Sequence, residues 1–243
     1  MKIIIVMIEL LLLAINFIAL NSTTPDQVEK LKITTRAEFI MDGRLKEMED
    51  SFCIYRWKEA RMFEFNYHET LEDLDTILKD EVKYKYFGYH PDTNIGYIFS
   101  SLNDSGYSRR CNADSVLKEF ADKSVDYFTI INNGKLIRKV DDPSKSQRTY
   151  VYVPIQKPNG SYCDTIYLIF SDNLKKVNYS FSKSADSASN SKLVGAKFLF
   201  NEILSGTLTS PKREMVIRLE QIKATNSKEI RDFMTRNKKY FEH

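Results

Sequence analysis

The chain has 243 residues, of which 42% are hydrophobic and 28% charged, so a chain that is disordered throughout is excluded. Its net charge of +3 is too small for the dense basic face that nucleic-acid binding requires. It contains 14 Tyr and 15 Phe but 8 Gly, a balance that favours packed sheet faces over glycine-rich repeats.

The N-terminal segment has the layout of a secretory signal peptide, with a positive start, an apolar run over 3–20 and a return to polar residues. If it were not cleaved, 3–20 could anchor the chain in a membrane. Glu9 would then lie near the bilayer centre at a cost of about 2.5–3.5 kcal/mol, which favours a transient signal. We therefore expect a signal peptide over 1–22 and a secreted or periplasmic domain over 23–243.

The sequence pattern in the first part of this domain is compatible with either a helix or a strand. Segment 25–50 is compatible with a helix from about Gln27 or with a strand through 32–40, and the spacing of apolar residues predicts a helix over 44–52. Alternating aromatic and polar residues predict a strand over 62–67. An acidic first turn and an apolar stripe then predict an amphipathic helix over 70–82.

The middle of the chain is richest in strand patterns. Strands are predicted over 84–87 and 95–100, and Asn112 is a predicted N-cap of a following helix. Short turns, including an Asn-Gly pair at 133–134, separate five consecutive strand candidates. An antiparallel meander is therefore predicted over 127–131, 135–140, 149–155, 162–170 and 175–182.

The last third mixes polar and apolar segments. A loop is predicted over 184–191, a helix over 193–204, either structure over 214–222, and a helix that begins with a capping box at Asn226. Together these elements predict an α+β fold, in which a mostly antiparallel meander sheet carries helices on one face. A single domain is expected, with a possible subdomain break near 141–147.

Three cysteines, Cys53, Cys111 and Cys163, leave at least one thiol unpaired in a monomer. Export would permit one disulfide. We slightly favour a bond between Cys111 and Cys163, because both lie beside strand-like segments; three buried thiols are the alternative.

Catalytic motifs are absent from the sequence. No G-x-S-x-G elbow, phosphate-binding glycine loop or metal-ligand spacing of His and Cys occurs, so neither a cofactor nor a metal is predicted. His90 and Asp92, which share a turn, are the candidates for a catalytic pair. His68 and His243 are interpreted as a cap residue and a terminal residue.

Two sets of residues are candidates for ligand binding. Arg109 and Arg110 could hold an anion, and Tyr150 and Tyr152 could line an aromatic sheet face. The sequence therefore predicts an exported, non-enzymatic protein that binds an unknown small molecule or protein, with no nucleic acid and with membrane contact only through an uncleaved leader. The alternative is an exported hydrolase with an unrecognised site.

Overall fold

The computed structural model describes the backbone of residues 27–41, 43–73, 76–89, 94–120, 134–154, 163–177, 179–205 and 208–241. The predicted leader over 1–22, the strand over 127–131, Asn133 of the Asn-Gly turn, and the pair His90 and Asp92 lie outside these residues. They remain predictions from the sequence.

The described part of the chain contains thirteen strands. In chain order they are β1 Glu29–Met41, β2 Arg44–Trp57, β3 Ala60–Asp73, β4 Thr76–Tyr89, β5 Ile95–Phe99, β6 Arg109–Asn112, β7 Gly134–Asp142, β8 Gln147–Pro154, β9 Thr165–Ser171, β10 Lys192–Phe200, β11 Ile203–Ser205, β12 Leu208–Ser210 and β13 Arg213–Ile222.

Eleven of these strands form one antiparallel sheet in the order β6-β5-β4-β3-β2-β1-β13-β10-β9-β8-β7. Strands β1 to β6 make one meander. Strand β13 returns to pair with β1 and joins that meander to a second set of strands, with Ile33 opposite Leu219 at the junction. The sheet is therefore continuous from the N-terminal half of the chain to the C-terminal half, and the strands on either side of segment 141–147 pair with each other, Asp142 opposite Gln147.

The predicted α+β class is wrong: the fold is mainly β. Three predicted elements account for the difference. Segment 44–52 belongs to β2, residues 70–73 and 76–82 belong to the paired strands β3 and β4 with Thr70 opposite Asp80, and most of 193–204 belongs to β10. Residues 44–52 and 193–200 pair with neighbouring strands, and these ladders satisfy backbone groups that the predicted helices would have satisfied internally.

Two further predictions are wrong near residue 180. The segment over 175–182 is irregular where described, and the predicted loop over 184–191 contains a helix. Three α-helices are described, α1 Ala113–Phe120, α2 Lys183–Ser189 and α3 Ser227–Arg236. The predicted cap of α1 is confirmed, because Asn112 Oδ1 accepts a hydrogen bond from the Ser115 amide at 2.9 Å. The helix predicted after Asn226 is also confirmed, but the Asn226 side chain makes no cap hydrogen bond.

The two faces of the sheet carry separate apolar clusters. Because side chains alternate along a strand, residues directly opposite each other on paired strands share a face. We call the face that carries Leu31, Ile54, Phe63 and Phe87 the pocket face. The other face, which carries Tyr55, Met62, Tyr86 and Phe99, packs against α3, and we call it the helix face.

Helix α3 buries its apolar residues Ile230, Phe233 and Met234 on the helix face. The Phe99 and Phe233 rings meet edge to face with centroids 4.9 Å apart. The chain after α3 contributes Phe241, which is buried in the same cluster. This end of the chain therefore covers the helix face at strands β2 to β5, while other elements cover the pocket face.

Helix α2 is fixed to β10 by a nearly buried ion pair. Asp186 Oδ2 accepts hydrogen bonds from Lys192 Nζ at 2.9 Å and from Ser180 Oγ at 2.7 Å, and Asp186 Oδ1 accepts one from the Leu193 amide at 2.7 Å. Lys192 Nζ also donates to the Tyr179 carbonyl oxygen at 2.8 Å. This network positions the segment around Tyr179, which lies over the pocket face.

Candidate functional site

The strand register places rows of like side chains across the pocket face. One row contains Leu31, Ile54, Phe63 and Phe87, each directly opposite the next. These side chains are 1–4% exposed, so this row is core. An apolar row of this length gives the sheet a continuous apolar floor at the level of β1 to β4.

The next row, closer to the turn between β2 and β3, contains three charged residues and a tyrosine. Glu29 on β1 is opposite Arg56 on β2, Arg56 is opposite Arg61 on β3, and Arg61 is opposite Tyr89 on β4. Glu29, Arg56 and Arg61 are half-buried. Two residues of extended chain separate the two rows, which corresponds to about 7 Å.

A cavity of about 180 Å³ lies where these two rows meet. Its floor is the sheet, through both rows. Its other walls come from α1 through Leu117 and from the segment beside α2 through Tyr179 and Ser180. An apolar cavity of about 150 Å³ in another protein takes up a benzene molecule, so this volume admits an aromatic ring or a short alkyl segment.

Aromatic rings give the cavity a defined wall. The ring centroids of Phe63 and Tyr89 lie 6.0 Å apart, and those of Phe87 and Tyr89 lie 5.6 Å apart. The Phe63 ring also packs on Phe52 and Phe65, which extend the aromatic surface along the pocket face. Offset rings of this kind hold each other in place and offer polarisable faces to an apolar ligand.

The charges at the cavity mouth do not balance. Arg56 and Arg61 contribute two positive charges and Glu29 contributes one negative charge. Burial raises the pKa of Glu29 above its usual value, and the two guanidinium groups oppose that shift. Gln221 donates a hydrogen bond to Glu29 at 3.3 Å, and Arg56 Nε donates to the Lys58 carbonyl oxygen at 3.3 Å. The mouth is therefore electropositive over an apolar floor.

The helix face holds a second polar group, at Glu64. The Tyr55 hydroxyl donates to Glu64 at 3.2 and 3.3 Å from the two carboxylate oxygens. Burial raises the pKa of Glu64, while Lys30 and the Tyr55 and Cys53 side chains lower it. A cleft nearby is lined by polar residues of α3 and by Leu102 and Asn103. Glu64 lies within the packing between sheet and helix, which makes it a structural carboxylate.

The structure places the two candidate arginines apart. Arg109 is opposite Ile98 on the pocket-face side, whereas Arg110 is opposite Tyr97, whose ring packs in the helix-face cluster. Both side chains are exposed, and consecutive residues of β6 point to opposite faces. Neither lines the cavity described above.

Tyr150 and Tyr152 lie on β8 and pack against the pocket-face cluster. The Tyr150 ring centroid is 5.0 Å from that of Phe170, and Lys139 Nζ lies 4.7 Å from the Tyr150 centroid. Burial raises the pKa of Tyr152. The two tyrosines share the face of the cavity, but they lie beyond β1 in the sheet order and do not line it.

The three cysteines are free thiols in the structure. Cys163 is buried in the pocket-face cluster, and Cys111 is partly buried against the same cluster. Burial raises the pKa of each thiol, which disfavours the reactive thiolate. The Cys111–Cys163 disulfide stays a prediction from the sequence.

In the described ranges, no group of three or more His, Cys, Asp or Glu side chains is placed to hold a metal ion. In those same ranges no helix is long and apolar enough to cross a membrane. Of the histidines, His68 has a described backbone, on β3.

Sequence reasoning missed Arg56 and Arg61. Their meeting depends on the turn at Lys58 and Glu59, where Lys58 takes φ of 55° and Trp57 pairs with Ala60. Lys-Glu is not a usual turn pair, so the sequence carries no turn signal there. The two arginines are five positions apart in the sequence. That spacing places two residues opposite each other across a two-residue hairpin loop, and it is the signal that could have identified them.

Comparisons with known proteins give distant structural similarity only. No family model matches the chain, and no curated protein matches it. The chain is similar to the solved structure of the ywiB protein from Bacillus subtilis, at 9% identity over 81% of this chain and 94% of that one, with a TM-score of 0.18.

Two other solved structures have the same TM-score. The LolA superfamily protein NE2245 from Nitrosomonas europaea is 11% identical over 84% of this chain and 90% of its own, with a TM-score of 0.18. A putative outer membrane lipoprotein-sorting protein domain from Vibrio parahaemolyticus is 7% identical over 86% of this chain and 92% of its own, also with a TM-score of 0.18.

Proposed function

We propose that this chain is an exported, non-enzymatic binding protein that holds an apolar ligand on its pocket face. The observation that carries the proposal is the cavity of about 180 Å³ between the apolar row of the sheet and Leu117 and Tyr179. Ligand sites are typically concave and mostly apolar, with a few polar groups at defined places. This cavity has an apolar floor and a charged mouth on one side.

The walls of the cavity come from elements that are fixed independently. The floor is paired strand from β1 to β4. Tyr179 is held by its own carbonyl bond to Lys192, and Leu117 lies on a capped helix. Preformed walls favour binding, because less ordering entropy is lost when the ligand enters.

The cavity is smaller than the 300–1,000 Å³ or so that is usual for drug-sized ligands. It therefore suits one ring or one end of a chain. Further along the same face, Phe52 and Phe65 are partly buried and offer apolar surface for the remainder of a longer ligand.

A neutral apolar fluorophore tests this proposal. We expect N-phenyl-1-naphthylamine to bind the purified full-length chain saturably, with enhanced fluorescence. Leu117→Trp places a larger side chain in the cavity wall and should weaken that binding about tenfold or more, a loss of about 1.4 kcal/mol or more. Leu136→Trp, at an exposed leucine on β7, is the matched control and should leave binding unchanged.

Saturable binding that resists Leu117→Trp would place the ligand elsewhere and contradict the proposal, as would the lack of any saturable binding. Circular dichroism of both tryptophan variants checks that the sheet has formed.

The extracytoplasmic location is proposed from the leader over 1–22 alone. Intact mass of the chain recovered from cell fractions tests it. A mature chain that lacks the leader, recovered outside the cytoplasm, would support export. A cytosolic chain that retains Met1 would contradict it.

A further inference from the structure

Arg56 and Arg61 face each other directly across the β2–β3 pair on the pocket face. Like charges directly opposite on one sheet face are destabilising. Both side chains are half-buried, so water screens their repulsion less than it would on an open surface. An arrangement that costs folding free energy calls for a compensating role.

Glu29 compensates only part of this charge. Glu29 lies opposite Arg56, and its carboxylate attracts both guanidinium groups and so offsets part of their mutual repulsion. Two positive charges and one negative charge still leave a net charge of +1 at the cavity mouth. Burial itself disfavours the ionised form of Glu29, which weakens the compensation further.

Arg56 is also oriented. Its Nε donates to the Lys58 carbonyl oxygen at 3.3 Å, which holds the side chain beside the β2–β3 turn. Arginine presents several N–H groups in a fixed plane and matches carboxylate and phosphate oxygens two at a time. Two opposed arginines on neighbouring strands, with Cα atoms about 5 Å apart, are close enough to share one such group.

We propose that the ligand of the cavity is an amphipathic anion, with an apolar tail in the cavity and one carboxylate or phosphate group between Arg56 and Arg61. This inference rests on the proposed apolar-ligand function and specifies its ligand class. The charged row and the apolar row are about 7 Å apart along the strands, so one ligand with its acidic group at the end of a tail reaches both.

Chain-matched ligands test the inference by displacing N-phenyl-1-naphthylamine below their micelle concentrations. Laurate and dodecyl phosphate carry the anion, and dodecanol carries the same tail without it. We expect one or both anions to bind at least about tenfold more tightly than dodecanol, as charge-assisted hydrogen bonds to arginine are roughly twice as strong as neutral ones. Whichever anion is preferred identifies the acidic group.

Arg56→Gln and Arg61→Gln should each lose most of that preference, because their affinity for the anions falls more than their affinity for dodecanol. Arg138→Gln, at an exposed arginine of β7, is the matched control and should retain the preference. Equal affinity for dodecanol and both anions, with fluorophore binding intact, would overturn the inference and leave the apolar-ligand function standing. Absence of fluorophore binding would instead overturn the proposed function.

Discussion

The ring of Phe241 lies against Gly88 on β4, so closely that a Cβ atom at Gly88 would overlap the ring. Phe241 is 1% exposed and follows α3 in the chain. The absence of a side chain at Gly88 thus lets the C-terminal end of the chain pack on the helix face. Glycine here provides close approach rather than an unusual backbone angle.

Gly88→Ala should therefore destabilise the protein by about 1–3 kcal/mol, the range for overpacking a well-filled core. Denaturant unfolding measures the loss. Gly106→Ala is the control, because its Cβ would meet only the Tyr240 hydroxyl at 3.8 Å, and it should change stability by less than about 0.5 kcal/mol.

In the double variant with Phe241→Ala, the alanine at Gly88 should cost less than it does alone, because the clashing ring is gone. Strictly additive effects of the two substitutions would contradict the proposed packing.

Glu64→Gln should stabilise the protein at neutral pH. Burial raises the pKa of Glu64 in the folded chain above its usual 4.5, so the folded state favours the protonated form. Below pH 4.5 the carboxyl is protonated in both states and the variant gains nothing. As pH rises through the raised pKa the wild type pays for the buried charge, and the variant becomes the more stable.

Melting temperatures at pH 4 and pH 7.5 measure this. Glu59→Gln, which removes a carboxylate at an exposed position of the β2–β3 turn, is the control, and a stabilisation by it as large as that by Glu64→Gln at pH 7.5 would contradict the account. A stabilisation by Glu64→Gln that is equal at both pH values would show that charge burial is not its cause.

Glu29→Gln should remove a pH dependence from anion binding. Its neighbours in the cavity are the guanidinium groups of Arg56 and Arg61 and the phenols of Tyr89 and Tyr179. Burial raises the Glu29 pKa, so protonation begins at a higher pH than for an exposed carboxyl, and each protonation removes a negative charge beside the proposed anion site.

Dodecanesulfonate, which stays ionised, should therefore bind the wild type more tightly at pH 5 than at pH 7.5. The Glu29→Gln variant should bind it tightly at both pH values, and the neutral fluorophore should show no such trend in either protein. The same pH slope in the variant would assign the effect to another group.

Asp186→Ala should destabilise the protein by about 3–5 kcal/mol, because it leaves Lys192, which is 8% exposed, without its carboxylate. It also removes the acceptor of the Leu193 amide. Asp172→Ala breaks the exposed pair with Arg148 and should cost less than about 1 kcal/mol. Equal losses in the two variants, measured by denaturant unfolding, would contradict the assigned role of the Asp186 network.

The period-2 pattern is visible where aromatic residues on one face of a strand alternate with polar residues on the other. Phe63 and Phe65 face the pocket side while Glu64 faces the other, and this alternation predicted the strand. Residues 44–50 are exposed on both faces, so alternation is lost, and Leu45 and Met48 mimic a helical stripe. Residues 192–196 are buried on both faces, which also hides the period.

The candidate site was still harder to predict, because it depends on register. The aromatic character of the sheet face was visible in Tyr150 and Tyr152, which do pack on the pocket face. Arg56 and Arg61 meet through a turn without a sequence signal, and Leu117 reaches the cavity only through the packing of α1. Such contacts follow from tertiary pairing rather than from local propensity.

The most direct test is a crystal structure of the chain with 12-bromododecanoate. We predict anomalous scattering from bromine on the pocket face, with electron density for the tail in the cavity beside Leu31, Ile54 and Phe63. The carboxylate should lie within hydrogen-bonding distance of Arg56 or Arg61. A ligand bound on the helix face, or a cavity that stays empty at saturating ligand, would contradict the account.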